Sequence, residues 1–135
     1  MQRPVGCAVL FVTSALLVGC GNMPTFFQNS PGDVAKAFYA AANEGRYSEA
    51  EQMLSEDAKN FIKGTLGQMV GGIKGICDQN TRDGTIARVD IQKEEVRGEG
   101  ATVIAKISFR DGSSKDDDKT SLIREKGSWR ITLGP

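Results

Sequence analysis

The stretch Ala101-Thr102-Val103-Ile104-Ala105-Lys106-Ile107-Ser108-Phe109-Arg110-Asp111-Gly112 decides the fold class. Ala101, Val103, Ala105, Ile107 and Phe109 recur at every second position, and a strand sends alternate side chains to opposite faces, so these five line one buried face. Asp111-Gly112 then supplies the residues a tight hairpin turn needs. Upstream, Ala87, Val89 and Ile91 alternate with Arg88, Asp90 and Gln92. The apolar set resumes at Val96 on the other parity, which predicts a bulge near Lys93 to Glu95. Gly98-Glu99-Gly100 turns this strand into the next. Downstream, a third strand over about Lys119 to Glu125 carries Leu122 and Ile123, Lys126-Gly127 forms a turn, and Trp129, Ile131 and Leu133 alternate to the end. Four strands joined by short turns read as an antiparallel meander.

The chain before residue 84 has helical period instead. Ser30 is an N-cap, Pro31 suits the first helical position and Asp33 completes a capping box. Val34, Phe38, Ala41 and Ala42 then form a buried stripe that Gly45 closes. A short helix from Ser48 to Leu54 places Tyr47, Ala50 and Leu54 on one side, and Ser55 caps a third helix predicted to run to about Cys77. Ile62, Leu66, Met69, Val70, Ile73, Ile76 and Cys77 give that helix an apolar face, while Gly64, Gly67, Gly71 and Gly75 gather on its back. Each glycine weakens a helix by roughly 1 kcal/mol relative to alanine. The stripe reads as a weak solvent-facing back or as a surface allowing close approach of another backbone; a third reading, an amphipathic interfacial helix, has little support from the cations Lys63 and Lys74. Helices first and strands afterwards predict an α+β fold, with three N-terminal helices packed on a curved four-stranded antiparallel β-meander.

The first nineteen residues read as a targeting segment. Arg3 is its only charge, and an apolar run from Val5 to Val18 follows Pro4. Such a run spans about 21 Å as a helix, short of the roughly 30 Å hydrocarbon core, so it reads as a signal peptide. It ends Leu17-Val18-Gly19-Cys20, which resembles the bacterial lipobox. The resemblance implies cleavage between Gly19 and Cys20 and acylation of the Cys20 thiol, giving membrane lipid as a partner. A single acyl chain holds a membrane only marginally, whereas the three implied here make a lasting tether. Gly21, by analogy with enteric bacteria, favours the outer membrane, facing the periplasm. The domain organisation is therefore residues 1–19 as a lipoprotein signal peptide, 20–29 as a lipidated linker and 30–135 as one domain. Phe26 and Phe27 within the linker either dock on the domain or meet the lipid interface.

The sequence holds 17 Lys+Arg and 17 Asp+Glu, so after removal of Arg3 the net charge is −1, which offers no case for nucleic acid. With Cys7 removed and Cys20 acylated, Cys77 is left as a lone thiol, unable to form an internal disulfide.

Three segments carry a resemblance. They are Ser30-Pro31-Gly32-Asp33-Val34 leading into Ala37-Phe38-Tyr39-Ala40-Ala41, then Gly45-Arg46-Tyr47-Ser48-Glu49-Ala50, and the hairpin Leu122-Ile123-Arg124-Glu125-Lys126-Gly127-Ser128-Trp129-Arg130-Ile131. Their order and spacing resemble a family of small bacterial lipoproteins of unknown function, related to the lumazine-binding-like group and similar to nuclear transport factor 2. The resemblance implies a cone of three helices on a bent antiparallel sheet. It implies no single activity, because this fold hosts enzymes, binding domains and assembly modules alike.

Enzymes of that superfamily work inside the cone with a carboxylate or histidine base and a tyrosine donor. The sequence has no histidine. Asp90 and Glu94 remain as candidate bases and Tyr39 and Tyr47 as candidate donors. Asp90 shares parity with Arg88 and Gln92 and so is expected to face water, while Tyr39 lies rotated off the stripe. The expected inward set is wholly apolar, and a pocket without a titratable group binds but catalyses little. The candidate apolar pocket comprises Phe38, Leu66, Met69, Val103, Phe109, Trp129 and Ile131. Asp111 and Asp116-Asp117-Asp118 read as a charged hairpin loop without calcium-loop spacing. Cys77 lacks a histidine partner for nucleophilic work. The expectation is a non-catalytic binding or assembly domain of the bacterial cell envelope, without metal or cofactor, whose partner is an envelope protein. The alternative is a carrier or sensor of a small hydrophobic ligand, and an isomerase- or cyclase-type enzyme is the third reading.

Overall fold

The computed structural model describes residues 30–82 and 84–134. The segments assigned above to a signal peptide and linker, with Gly19 and Cys20, lie outside the described residues. Helix α1, Pro31–Asn43, starts as its sequence dictates: the Asp33 amide donates to Ser30 Oγ at 3.2 Å, and the Ser30 amide donates to Asp33 Oδ2 at 3.2 Å. Gly45 ends the segment at φ 73°. Helix α2 covers Tyr47–Gln52 and α3 covers Glu56–Lys63, capped by Ser55, whose Oγ accepts from the Ala58 amide at 3.2 Å.

The expected single third helix is instead three short ones. Gly64 adopts an extended conformation, α4 covers Thr65–Met69, and α5 covers Gly72–Thr81 after Gly71 turns the chain at φ 92°. A Cβ on Gly67 would lie 2.3 Å from the Phe61 carbonyl oxygen, so only glycine lets α4 fold back onto the end of α3. The small residues do admit a close backbone, and that backbone belongs to the same chain.

Strands β1 (Ile86–Arg97), β2 (Gly100–Phe109), β3 (Ser114–Glu125) and β4 (Ser128–Ile131) form one antiparallel sheet in sequence order. The α+β expectation is met, with five helices among the described residues in place of three. Strand β2 alternates as its sequence requires, and all five of its inward residues are buried. The β1 register shifts between Ile91 and Lys93, at the near edge of the expected bulge, and again between Ile86 and Arg88. The second shift buries Ile86 and leaves Ala87 exposed. Val96 and Leu133, both expected to pack inward, are 51% and 38% exposed, because β1 has by then run past the helices and β4 ends at Ile131. The Lys126-Gly127 turn has positive φ at both residues, 50° and 80°, the geometry that matches a two-residue loop to strand twist.

Two clusters make the core. The larger joins Val34, Phe38, Ala41 and Ala42 of α1 to Leu54, Ile62, Val103, Leu122, Trp129 and Ile131. The smaller holds Tyr39, Ile86, Val89, Ala105, Ile107 and Phe109, and Ile91 packs against both. The α2–α3 junction covers the outer edge of β4: the Ser55 amide donates to the Ile131 carbonyl and the Ile131 amide to the Met53 carbonyl, each at 2.8 Å. A sheet edge so paired is closed to further strands.

Candidate binding site

A register shift brings a carboxylate onto the inward face. Ala105 pairs with Asp118 but Ile107 pairs with Lys115, so β3 holds one residue more than β2 over this stretch. Asp117 takes it up at φ 56°. Beyond the bulge Asp118, Thr120 and Leu122 stand opposite Ala105, Val103 and Ala101, sharing their buried face. Asp118 is 7% exposed. The expected strand starts at about Lys119, with Asp118 in a solvated loop; the observed strand begins at Ser114 and includes Asp118.

Tyr39 comes from α1 to meet it. Expected to turn away from the buried stripe, it is 4% exposed, packs with the smaller cluster and donates its phenolic hydrogen to Asp118 Oδ2. Lys115 Nζ forms an ion pair with Asp118 Oδ1. Burial above all, reinforced by the Asp118 acceptor, raises the phenol pKa beyond its ordinary range. Tyr39 therefore keeps its proton as a fixed donor.

Both groups border an open cavity of about 340 Å³ between α1, α5, β3 and β4. Phe38 and Ile131 form its apolar wall, and Asn80, Thr120, Ser121 and Thr132 add polar groups. Its volume lies within the range of small-molecule pockets, and an apolar wall with a few placed polar groups is their usual lining. Asn80 Nδ2 is itself held by the Ile76 carbonyl at 2.9 Å. The inward surface is thus not wholly apolar.

The apolar pocket expected from sequence is not assembled. Phe38, Val103, Trp129 and Ile131 meet as packed core, while Phe109 belongs to the other cluster. Leu66 and Met69 are 64% and 78% exposed, because the breaks at Gly64 and Gly71 rotate α4 off the sheet. Of the other candidates, Asp90 borders a second groove and pairs with Arg88 at 2.7 Å, and Glu94 is exposed, accepting from Ser30 Oγ at 3.0 Å. The Tyr47 hydroxyl donates to Asp78 at 3.1 Å. Cys77 is fully buried, and burial, then the neighbouring Asp78, pushes its thiol up to about 11, so it stays protonated at neutral pH. No group of three metal-ligating side chains occurs among the described residues.

Residues 19–132 match the family described as Domain of unknown function, DUF4878. The chain belongs to that family. Two of the solved structures that resemble this DUF4878 chain illustrate its fold. One is the crystal structure of a candidate NTF2-like transpeptidase from Campylobacter jejuni, at 17% identity and TM-score 0.57, covering 78% of this chain and 100% of that one. The other is the solution structure of a SEC-C motif-containing protein from Rhodopseudomonas palustris, at 13% identity and TM-score 0.53, covering 78% and 77%. At such identities the likeness is one of fold, and it agrees with the resemblance to nuclear transport factor 2. No curated protein matches the chain.

Proposed function

We propose that this DUF4878 chain is a lipid-anchored, non-catalytic binding domain of a bacterial cell envelope, and that its ligand enters the cavity beside Tyr39 and Asp118. The tether reading rests on Leu17-Val18-Gly19-Cys20, and Cys20 falls inside the span that matches the family. Acylated Cys20 supplies the membrane lipid partner, with the outer membrane favoured by Gly21.

The observation that carries the binding reading is the buried Tyr39–Asp118 pair at the wall of an open 340 Å³ cavity. A carboxylate has about four acceptor positions. Tyr39 and Lys115 each take one, leaving Asp118 able to accept from a ligand. The ligand that fits is small and amphiphilic: a donor group for Asp118, and an apolar part for Phe38 and Ile131. This favours an amphiphilic ligand over the hydrophobic one of the alternative sequence reading. Native mass spectrometry of protein purified from its own host tests the reading. A small molecule retained by the unaltered chain and lost from Asp118→Asn supports it; a ligand-free chain, or equal retention by both, overturns it.

The second reading, an acid–base enzyme, gains from the same two residues, since a phenol and a carboxylate now share one cavity. Against it stands their mutual engagement: the phenol is committed to Asp118 and holds its proton, and the carboxylate is held by Lys115. Chemical alteration of the retained molecule by the unaltered chain, absent with Asp118→Asn, would favour this reading over binding alone.

A further inference from the structure

Four of the six exposed large hydrophobic residues among those described lie within ten positions: Phe61, Leu66, Met69 and Val70. Leu66, Met69 and Val70 follow one another at helical spacing around α4, and Gln68 Nε2 pins that helix to the Ile62 carbonyl at 2.9 Å. Single exposed apolar side chains are ordinary, but a cluster marks an interaction surface. The four lie on α3, α4 and the turn after them, where α4 folds against α3 through Gly67.

Charge says what kind of surface this cluster suits. From Ala58 to Cys77 the sequence contains three lysines, Lys59, Lys63 and Lys74, and no carboxylate; Lys59 and Lys74 pair closely with Glu56 and Asp78, which flank the stretch. Lys63 is 68% exposed, and its contact with Glu51 is a loose 3.7 Å. An exposed pair of that kind contributes little, so the ammonium can exchange Glu51 for a phosphate. Apolar side chains flanked by a loosely paired lysine are what a phospholipid surface accepts.

The linker keeps the domain beside the bilayer. Ten residues, 20–29, reach at most about 35 Å when extended, close to the diameter of a domain whose radius of gyration is about 13 Å. Faces within that reach of the tether can touch the bilayer, and tethering raises the local concentration enough for a small patch to settle there. We infer that Phe61, Leu66, Met69 and Val70 rest in the headgroup layer of the membrane, with Lys63 beside the phosphates, which orients the domain on the bilayer. This rests on the acylation of Cys20 proposed above.

The test places an environment-sensitive fluorophore at Met69→Cys or, as a control on a distant exposed position, at Val96→Cys. Buried Cys77 stays unlabelled. The full chains, processed by their host, are reconstituted into vesicles of phosphatidylethanolamine and phosphatidylglycerol containing a lipid-borne quencher. The expected result is quenching several-fold stronger at position 69 than at position 96, reduced when Lys63→Glu is added. Equal quenching overturns the inference. So does a label shielded from water yet untouched by the quencher, which would mean that the Phe26-Phe27 segment or a second copy covers the patch. The mass of the N-terminal peptide reports acylation separately. If it shows no acyl chains, the labelled chains are remade with Cys7→Ser and Cys20→Ser and held on the vesicles by a histidine tag, and the two positions are compared as before.

Discussion

The Tyr39 hydroxyl on the first helix donates to the carboxylate of Asp118 on the third strand, across 79 positions of sequence. The contact joins the layers at the wall of the candidate site, and both partners are buried. Hydrogen bonds to a charged group contribute about 1.5–3 kcal/mol. Tyr39→Phe and Asp118→Ala should each lower stability by about 2 kcal/mol in urea unfolding. Because both remove one shared bond, the double variant should lose less than the sum of the two, by about 1–2 kcal/mol. Additive losses would show that the contact is not formed in solution.

Alkaline pH should weaken the fold in a defined window. Cys77 is raised from the ordinary thiol value of 9.0 to about 11, and Tyr39 is raised above 10.0. In each case the unfolded chain gives up its proton first, so the folded state binds more protons and stability falls as pH rises. The contribution is whole below pH 9, begins to fail for Cys77 between pH 9 and 11, and for Tyr39 above pH 10. Each group adds a slope of at most about 1.4 kcal/mol per pH unit. Urea midpoints followed from pH 8 to 11 should fall less steeply in Cys77→Ala and in Tyr39→Phe than in the unaltered chain.

The sheet was largely legible in the sequence because Ala101 to Phe109 alternate without interruption and Asp111-Gly112 and Lys126-Gly127 admit few backbone conformations. The start of α1 was legible for the same kind of reason, a local capping box. The site was not. Asp118 follows two further aspartates in a stretch that reads as solvated loop, and only the unpaired residue at the Asp116-Asp117 bulge turns it inward. One signal was available: Asp118, Thr120 and Leu122 share parity, so extending the strand by a single residue would have included it. The long third helix does not form because Gly64 and Gly71 break the backbone while the apolar spacing runs on through them. An apolar face at helical period does not reveal that the backbone is broken beneath it.

The glycines of that segment should therefore differ sharply when substituted. A Cβ on Gly67 would stand 2.3 Å from the Phe61 carbonyl oxygen, and one on Gly75 would stand 1.8 Å from the Val70 carbonyl oxygen. In both cases backbone would have to move. Gly64, by contrast, has φ −76° and its added Cβ would meet nothing closer than 3.4 Å. Gly67→Ala and Gly75→Ala should each cost about 1–3 kcal/mol. Gly64→Ala should be neutral or stabilising by about 0.5 kcal/mol, since alanine restricts the unfolded chain. Thermal unfolding of the three variants decides it: a continuous helix through these positions would instead make all three alanines stabilising.

The two serine caps provide a last contrast. Ser30 and Ser55 make the same bond, each accepting at 3.2 Å from the amide three residues on. Their surroundings differ. Ser30 is half-buried at the start of α1, where water can replace its oxygen. Ser55 is fully buried, and its own amide holds the Ile131 carbonyl on the edge of β4. Removing its hydroxyl leaves the Ala58 amide without a partner where water does not reach, and an unsatisfied buried donor costs about 1–3 kcal/mol. Ser55→Ala should therefore cost about 2 kcal/mol against roughly 0.5 kcal/mol for Ser30→Ala. Hydrogen exchange should register the loss of Ser55 at the Ala58 amide first and then at the Ile131 amide, because the loop that caps α3 also closes the sheet. Equal losses at the two serines, or unchanged protection at Ile131, would show that helix and sheet edge are not coupled through this residue.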